Sequence, residues 1–279
     1  MASSGGVSLI IASYNHGDIL AMTLAAAARQ THPELEVIVA DDGSEEDYRP
    51  LLEKAARWFA RGIQHVKHAD QGFRKTRILN RAVQVSRFDP LLFLDMDCLP
   101  HEDFVKNHLA YLGRGTAVTG RRVHIEKEAF PPADEILKQG LNFTPVALLR
   151  LWLAGQARRI EHGLLLPLFY ETSGPGILGS NLSVHKADLQ AINGFNEEYQ
   201  ENATGEDTDL DFRLRLAGVR VVTLRNRAIQ YHVAHPTRPR TNGKNRALLE
   251  HTMAEQRVHA AIGLEEIQPG DFSHTRFGG

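Results

Sequence analysis

Short apolar runs separated by amphipathic stretches set the pattern of the first hundred residues. Val-Ser-Leu-Ile-Ile-Ala at 7–12 reads as a buried strand, and the turn cluster Ser13-Tyr14-Asn15-His16-Gly17 follows it. Residues 19–29, rich in Ala and Leu, read as a helix that Asp18 can cap and Thr31-His32-Pro33 closes. A strand at 36–40, a helix at 48–60, a short strand at 63–66 and a helix at 74–85 continue the alternation. Pro90-Leu91-Leu92-Phe93-Leu94 is short and uniformly apolar, the pattern of a buried parallel strand, and a helix at 101–112 comes after it. Strand–helix alternation at this spacing predicts an α/β fold built on a doubly wound, mainly parallel sheet with right-handed crossovers.

The second half is less regular. Residues 116–125 read as a strand and 133–163 as mostly helical, with Arg158-Arg159 late in it. Residues 164–170 form an apolar loop, an acceptor-site wall or, preferentially, core. Residues 174–181 carry three glycines in six positions before Ser180-Asn181, which calls for a close backbone approach. Residues 209–216 alternate polar and apolar like a strand. Asp209 with Arg213 and Asp211 with Arg215, however, have the i,i+4 spacing that supports a helix, and Gly218 stands where one would stop. This stretch is read as a helix leading into a strand at 219–224.

Acid collects at the strand ends. The second strand ends in Asp41-Asp42-Gly43-Ser44 and the run at 90–94 in Asp95-Met96-Asp97. In a parallel sheet both turns fall on one edge, where open α/β folds bind ligands. Carboxylates there suit a hard divalent cation and its phosphate partners; the competing reading is a plain Asp-rich turn. The turn at 13–17 has neither glycine spacing of a phosphate-binding loop, and the chain has no His-Glu-x-x-His and no paired Cys-x-x-Cys. Hydride transfer and zinc proteolysis therefore have no support. Gly205-Glu206-Asp207 opens the helix just described. Acids in a first turn complement the helix dipole, but the four acids at 206–211 exceed that need, which makes Asp207 a candidate general base. His232 and His235 close a strand-like run, and neutral imidazole ligates manganese as well as zinc. Arg238, Arg240, Lys244 and Arg246 downstream form a solvated loop or a cover for a diphosphate.

Composition narrows the class. The 279 residues are 42% hydrophobic and 24% charged, ordinary for a globular protein, and a formal net charge of -2 leaves no basic footprint for nucleic acid. One cysteine, Cys98, excludes an internal disulfide and fits a reducing compartment. The start lacks a basic, then apolar, leader, and the apolar cluster at 146–153 is interrupted by Arg150 and too short to span. The expected location is cytoplasmic. The helix around 150–159 is expected in the core, with peripheral contact at the inner face of a membrane as its alternative.

The motifs in order, Ala12-Ser13-Tyr14-Asn15, Ala40-Asp41-Asp42-Gly43-Ser44, the stretch 70–80 and Leu94-Asp95-Met96-Asp97, resemble the family 2 glycosyltransferases, which have the GT-A fold. Gly179-Ser180-Asn181, Asn193-Gly194-Phe195-Asn196-Glu197 and Gly205-Glu206-Asp207 resemble the galactosyltransferase-type carboxyl-terminal half of chondroitin-polymerase-like enzymes. The resemblance spans about residues 7–236. It implies a nucleotide-sugar-binding half at 1–115, an acceptor-binding and catalytic half at 116–236, and a loop and helical tail at 237–279. By position, Ala12, Tyr14, Asn15, Asp42, Lys75, Arg77, Asn80, Asp95 and Met96 would hold the UDP-sugar donor. Asp97 and His232, with Asp95 and with His235 as the alternative imidazole, would hold Mn²⁺ or Mg²⁺. Asp207 would be the base, and Glu206 with Gly179, Ser180, Asn181 and Gly205 would bind a carbohydrate or lipid-linked acceptor. The implied activity is metal-dependent, inverting sugar transfer in cell-surface polysaccharide synthesis. Its rivals are a non-catalytic binding subunit of the same fold and a sugar nucleotidyltransferase.

Overall fold

The computed structural model describes residues 5–141, 143–165, 171–172, 176–201, 205–235 and 243–279. Strand β1 (Val7–Ser13) leads through helix α1 (Gly17–Ala27) to β2 (Leu35–Asp41), then α2 (Arg49–Ala56), β3 (Ile63–Lys67), α3 (Lys75–Val85) and β4 (Pro90–Asp95). The chain continues through β5 (Cys98–Pro100), α4 (Phe104–Tyr111), β6 (Thr116–Thr119), β7 (Arg121–Glu126), α5 (Ala133–Gln139), α6 (Pro145–Leu153) and β8 (Ala157–Arg158). The remainder is β9 (Glu171–Thr172), β10 (Leu182–His185), α7 (Lys186–Gln190), α8 (Glu206–Leu216), β11 (Arg220–Leu224), β12 (Ile229–Ala234), α9 (Gly243–Ala254) and β13 (Ser273–Phe277).

The large sheet has the order β13-β3-β2-β1-β4-β10-β6-β11-β9, and a smaller one the order β5-β12-β7-β8. Strands β3, β2, β1 and β4 are mutually parallel. The largely apolar runs of β1, β2 and β4 follow from burial on both faces, whereas β3 carries Gln64, His65 and Lys67. Leu9, Ile11 and Val39 pack with Leu20, Leu24 and Leu52 on one side, while Ile10, Ala12 and Ile38 pack with Ile78, Leu79 and Ala82 on the other. A third apolar cluster, including Val123, Ile136, Leu148 and Tyr231, fills the space between the small sheet and α1, α5 and α6. The register pairs Ser13 with Asp41 and Ala12 with Asp95, so both acidic turns reach the same sheet edge, as expected.

Four expectations need correction. His16, not Asp18, is the N-cap residue of α1; Asn15 and His16 both have φ 54°, and the Asp18 carboxylate instead pairs with Lys127 at 2.5 Å. Two successive left-handed residues cost strain, and the loop is held against it by Ser44 and Tyr48 on the Asn15 backbone. The single strand expected at 116–125 is two strands in different sheets. The break falls at Gly120, where a Cβ would collide with the Ala228 carbonyl and the Asn181 amide. The helix expected over 133–163 is cut at Gly140 (φ 78°) and restarts at Pro145, with Thr144 as its side-chain cap. The tail is not only loop and helix: β13 pairs antiparallel with β3, from Ser273 opposite Lys67 to Phe277 opposite Ile63.

Candidate active site

The small sheet is what turns two aspartates into a site. Strand β4 ends at Asp95, and after Met96 and Asp97 the chain enters β5, where Cys98 pairs with His232 of β12. The Val233 amide donates to the Asp97 carbonyl at 2.8 Å, fixing the turn against the strand that carries the histidine. His232 Nε2 lies 3.3 Å and His235 Nε2 3.2 Å from the same oxygen, Asp97 Oδ2. Both imidazoles, not one of the two, converge on this carboxylate. Their ligand atoms and that of Asp97 lie within 4.8 Å of one another, the one such cluster of three among the described residues. Burial works to raise the Asp97 carboxyl, but hydrogen bonds from His232 and His235 outweigh it and hold it well below the ordinary carboxylate range. His232 Nδ1 is buried without a hydrogen-bond partner. One carboxylate and two imidazoles, one with an unsatisfied nitrogen, fit a manganese- or zinc-like cation. They suit magnesium, which prefers all-oxygen sites, less well.

Asp95 points elsewhere. Its Oδ1 pairs at 2.5 Å with Nζ of Lys75, the first residue of α3. Burial opposes the lysine's charge, yet Asp95, Asp207 and Glu206 together raise its pKa. One ammonium group therefore faces three carboxylates. At the start of α8, Asp209 pairs with buried Arg213 at 2.7 Å and Asp211 with Arg215 at 2.8 Å, so these two acids are structural. Neither Glu206 nor Asp207 has such an arginine partner among the described residues. Burial, then the Asp207 charge, pushes Glu206 up to about 7 against the pull of Lys75. Burial also raises Asp207, opposed by Lys75 and the Gly179 backbone.

The Gly179 amide donates to Asp207 Oδ2 at 2.8 Å, and a Cβ there would collide with Oδ1. Gly205, the N-cap of α8 at φ 148°, packs against the Tyr199 ring, where a Cβ would be 2.7 Å from a ring carbon. Gly179→Ala should therefore displace the Asp207 carboxylate by about an ångström and lower turnover about 100-fold at unchanged donor affinity. Steady-state rates beside a UDP titration check it.

Other expected residues divide. Asp42 sits at the edge with Oδ1 on His68 at 2.7 Å and Oδ2 accepting from the Arg74 amide at 3.0 Å. Tyr14 donates to Asp70 at 3.1 Å near the surface. Ala12 and Met96 are tied by a backbone bond of 2.9 Å beneath Asp95. The Asn15 carboxamide is spent on the amides of Glu45 and Glu46, so it holds the loop. Arg77 turns away to Gln71 and Asp271, two residues round the helix from Lys75.

Asn80 and Asn181 are corrections. Asn80 is fully buried and binds Phe195 and Glu197 through its amide, leaving no surface for a nucleotide. Asn181 is equally buried, bonded to His108 and the Ala228 carbonyl, and the Ser180 hydroxyl accepts from Gln230. Both side chains are buried in the turn that follows Gly179. Of the basic run, Arg238 and Arg240 lie outside the described residues, as do 166–170 and Gly174, while Arg246 pairs with Glu250 on exposed α9. Three neighbours were missed: His68, Arg122 and His124. Arg122 reaches Cys98 Sγ at 4.0 Å, and although burial opposes its charge, Cys98, Asp95 and Asp97 favour it. His124 meets the His232 ring edge-on at 4.9 Å, and burial lowers its pKa to about 4.

Two family models match the chain: "Glycosyl transferase family 2" over residues 8–157 and "N-terminal domain of galactosyltransferase" over residues 165–236. The chain belongs to glycosyl transferase family 2. It is 32% identical over 232 residues to a chondroitin synthase of Pasteurella multocida (strain Pm70), covering 76% of this chain and 23% of that one. It is 28% identical over 263 residues to a chondroitin synthase of Escherichia coli, covering 86% of this chain and 37% of the relative. This family 2 glycosyltransferase chain thus spans well under half of those relatives. Among solved structures, S. aureus TarS 1-349 in complex with UDP superposes with TM-score 0.62 at 17% identity, covering 93% of this chain and 68% of that one. The same protein in complex with UDP-GlcNAc gives 0.61 at 18% identity, with the same coverage. The fold is GT-A.

Proposed function

We propose that the chain transfers a sugar from a UDP-sugar to a hydroxyl of a carbohydrate acceptor, free or lipid-linked, with inversion at the anomeric carbon, in polysaccharide synthesis. The observation that carries this reading is the continuity of the two clusters. Asp95, two residues from Asp97, is ion-paired to the same Lys75 that Asp207 and Glu206 act on. The names of the relatives support a polysaccharide product, and the nucleotides bound to TarS support a uridine diphosphate donor.

In this reading residues 1–115 hold the donor and 116–236 supply the base and acceptor contacts. Asp42, Tyr14 and the backbone of Ala12 wall the nucleotide, and Asp95 contacts the ribose. Asp97, His232 and His235 would hold Mn²⁺, which when bound offsets the charge of the departing diphosphate. Asp207 takes the proton of the acceptor hydroxyl. The Gly179 amide favours its anion, so it is the base of the pair, while Glu206, partly protonated at neutral pH, holds the acceptor. A single base and a single in-line displacement give inversion.

A screen of UDP release across donor sugars with Mn²⁺, with and without acceptor oligosaccharides, tests the proposal, and proton NMR of the product reads the anomer. Pyrophosphate release would mark a nucleotidyltransferase instead. The acid pair also sets the pH profile. Raised carboxyl groups keep their protons to higher pH, and a base must be deprotonated, so kcat/KM should climb with pH above the ordinary carboxylate range, Asp207 and Glu206 titrating as a pair. A profile already flat above pH of about 5 would assign the base to an ordinary carboxylate.

A further inference from the structure

The small sheet has two unlike faces. Alternation along β7 and β12 turns Val123, Ile125, Tyr231 and Val233 to the apolar cluster on one side, together with Ala157 of β8. Helix α6, expected in the core, adds Leu148 as its only fully buried residue and leaves Val146, Leu149, Trp152 and Leu153 exposed. The opposite face of the sheet is polar. Register sets Cys98 of β5, His232 of β12, His124 of β7 and Arg158 of β8 side by side across it, and the two imidazole rings touch. Arg122, two residues before His124 on the same strand, shares this face. A row of polar side chains thus runs from Asp97 and His232 to the edge strand β8.

The cations along the row differ in what answers them. Burial opposes the charge of Arg122, but Cys98, Asp95 and Asp97 favour it, so this guanidinium is matched inside the cleft. Arg158 and Arg159 are exposed, and neither guanidinium group makes a hydrogen bond or ion pair among the described residues. Both are near enough to His124 to add to burial in lowering its pKa. The nearby acids are placed elsewhere: Glu126 ends β7 in register with Ala234, and Glu161 lies beside His162 at 3.8 Å. Arg159 has φ 59°, a left-handed conformation in which glycine is the ordinary residue, yet an arginine is held there directly after β8. Two strand spacings, about 10 Å, separate the backbone of Arg158 from that of His232, and the row opens to solvent at the arginine end. A diphosphate belongs at the buried end, beside the Asp97 triad. A chain acceptor has to leave the cleft, and the open end is an exit lined with unmatched positive charge.

We propose that Arg158 and Arg159, with His124 beside them, form an anion subsite that takes a carboxylate or phosphate carried by the acceptor chain beyond the unit that receives the sugar. The subsite presupposes the proposed sugar transfer and makes its acceptor acidic. Guanidinium groups match either anion with paired N–H donors, and a pair without an acid partner has no internal ion pair for a ligand to displace. Because the arginines stand at the far end of the row from Asp97, they select the acceptor and leave UDP affinity alone.

Transfer from one UDP-sugar with Mn²⁺ to three tetrasaccharides, one neutral, one containing hexuronate and one with phosphodiester-linked units, tests this. At least one acidic acceptor should have a KM at least about tenfold below that of the neutral one, rising with salt, and which of them does so identifies the anion. Arg158→Gln with Arg159→Gln should remove that preference through KM, with UDP affinity and thermal unfolding like those of the wild type. Arg159→Gly is the second variant: glycine suits φ 59°, so a weakened preference at undiminished stability comes from lost charge and not from lost fold. Equilibrium binding of the same tetrasaccharides in UDP and Mn²⁺ needs no turnover. Arginine-dependent binding of an acidic tetrasaccharide without transfer from any donor keeps the subsite and rejects the transferase reading. Transfer with equal KM for all three acceptors keeps that reading and overturns the subsite, and absence of arginine-dependent binding overturns it whatever the turnover. A fall in UDP affinity in the folded variants also overturns it, because the pair would then serve the diphosphate. So does a preference for UDP-hexuronate over UDP-hexose that the variants lose, which would place the carboxylate on the donor.

Discussion

Asp207→Asn is expected to reduce sugar transfer by about 10³- to 10⁴-fold while leaving donor affinity within about twofold of the wild type. The amide oxygen of Asn can still accept from the Gly179 amide, so the side chain keeps its place and loses only its charge and basicity. Lys75 keeps its direct partner Asp95 and loses one of three nearby carboxylates, which leaves the donor side of the cleft intact. Steady-state UDP release with acceptor, beside a UDP titration in Mn²⁺, separates the two quantities. Turnover near the wild-type level would remove Asp207 from the role of base. Collapse in Glu206→Gln with Asp207→Asn still active would exchange the two roles. A fall in both turnover and UDP affinity for Asp207→Asn would show that the acid pair organises the donor site.

The sequence makes this pair legible by subtraction. Four acids open one helix, and the two with arginines four residues on are the two that the structure pairs, Asp209 and Asp211. The strands were legible for a different reason: β1, β2 and β4 are buried on both faces, so their composition shows as largely apolar runs, and β2 and β4 end in acid at one edge. What stayed hidden depends on contacts between distant segments. The break at Gly120 is imposed by Ala228 and Asn181, and nothing in the regular run around it signals a change of sheet. Strand β13 is mostly exposed, so no apolar alternation marks it. Asn80 and Asn181 sit in motifs that look chemical because they are polar, yet their amides are consumed in holding turns. His68, Arg122 and His124 are single residues whose meaning comes only from the carboxylates and imidazole that the fold places next to them.

The second large effect belongs to Asp97. In the wild-type chain Mn²⁺ should tighten UDP binding, and EDTA should undo it; Asp97→Ala should abolish that dependence, a loss of more than about 100-fold in metal-coupled affinity. The carboxylate is the only anion among the three ligands, and both imidazoles converge on its Oδ2. Without it, two neutral imidazoles remain with no charge to offset that of a dication. His232 and His235 are not equivalent partners. His232 is buried on β12 in register with Cys98, while His235 is half exposed beyond the strand's end, so His232→Ala should cost more than His235→Ala. Thermal unfolding gives an independent readout. At Mn²⁺ and UDP about 100-fold above Kd, the wild type gains about 2.7 kcal/mol, and Asp97→Ala should gain none of the metal-dependent part. The three side chains would pair in the same way as a structural triad without any metal, and the two cases differ in one result. If EDTA leaves wild-type UDP binding and unfolding unchanged, the cluster only ties β5 to β12, and Asp97→Ala should then lower the stability of the free chain without touching the donor.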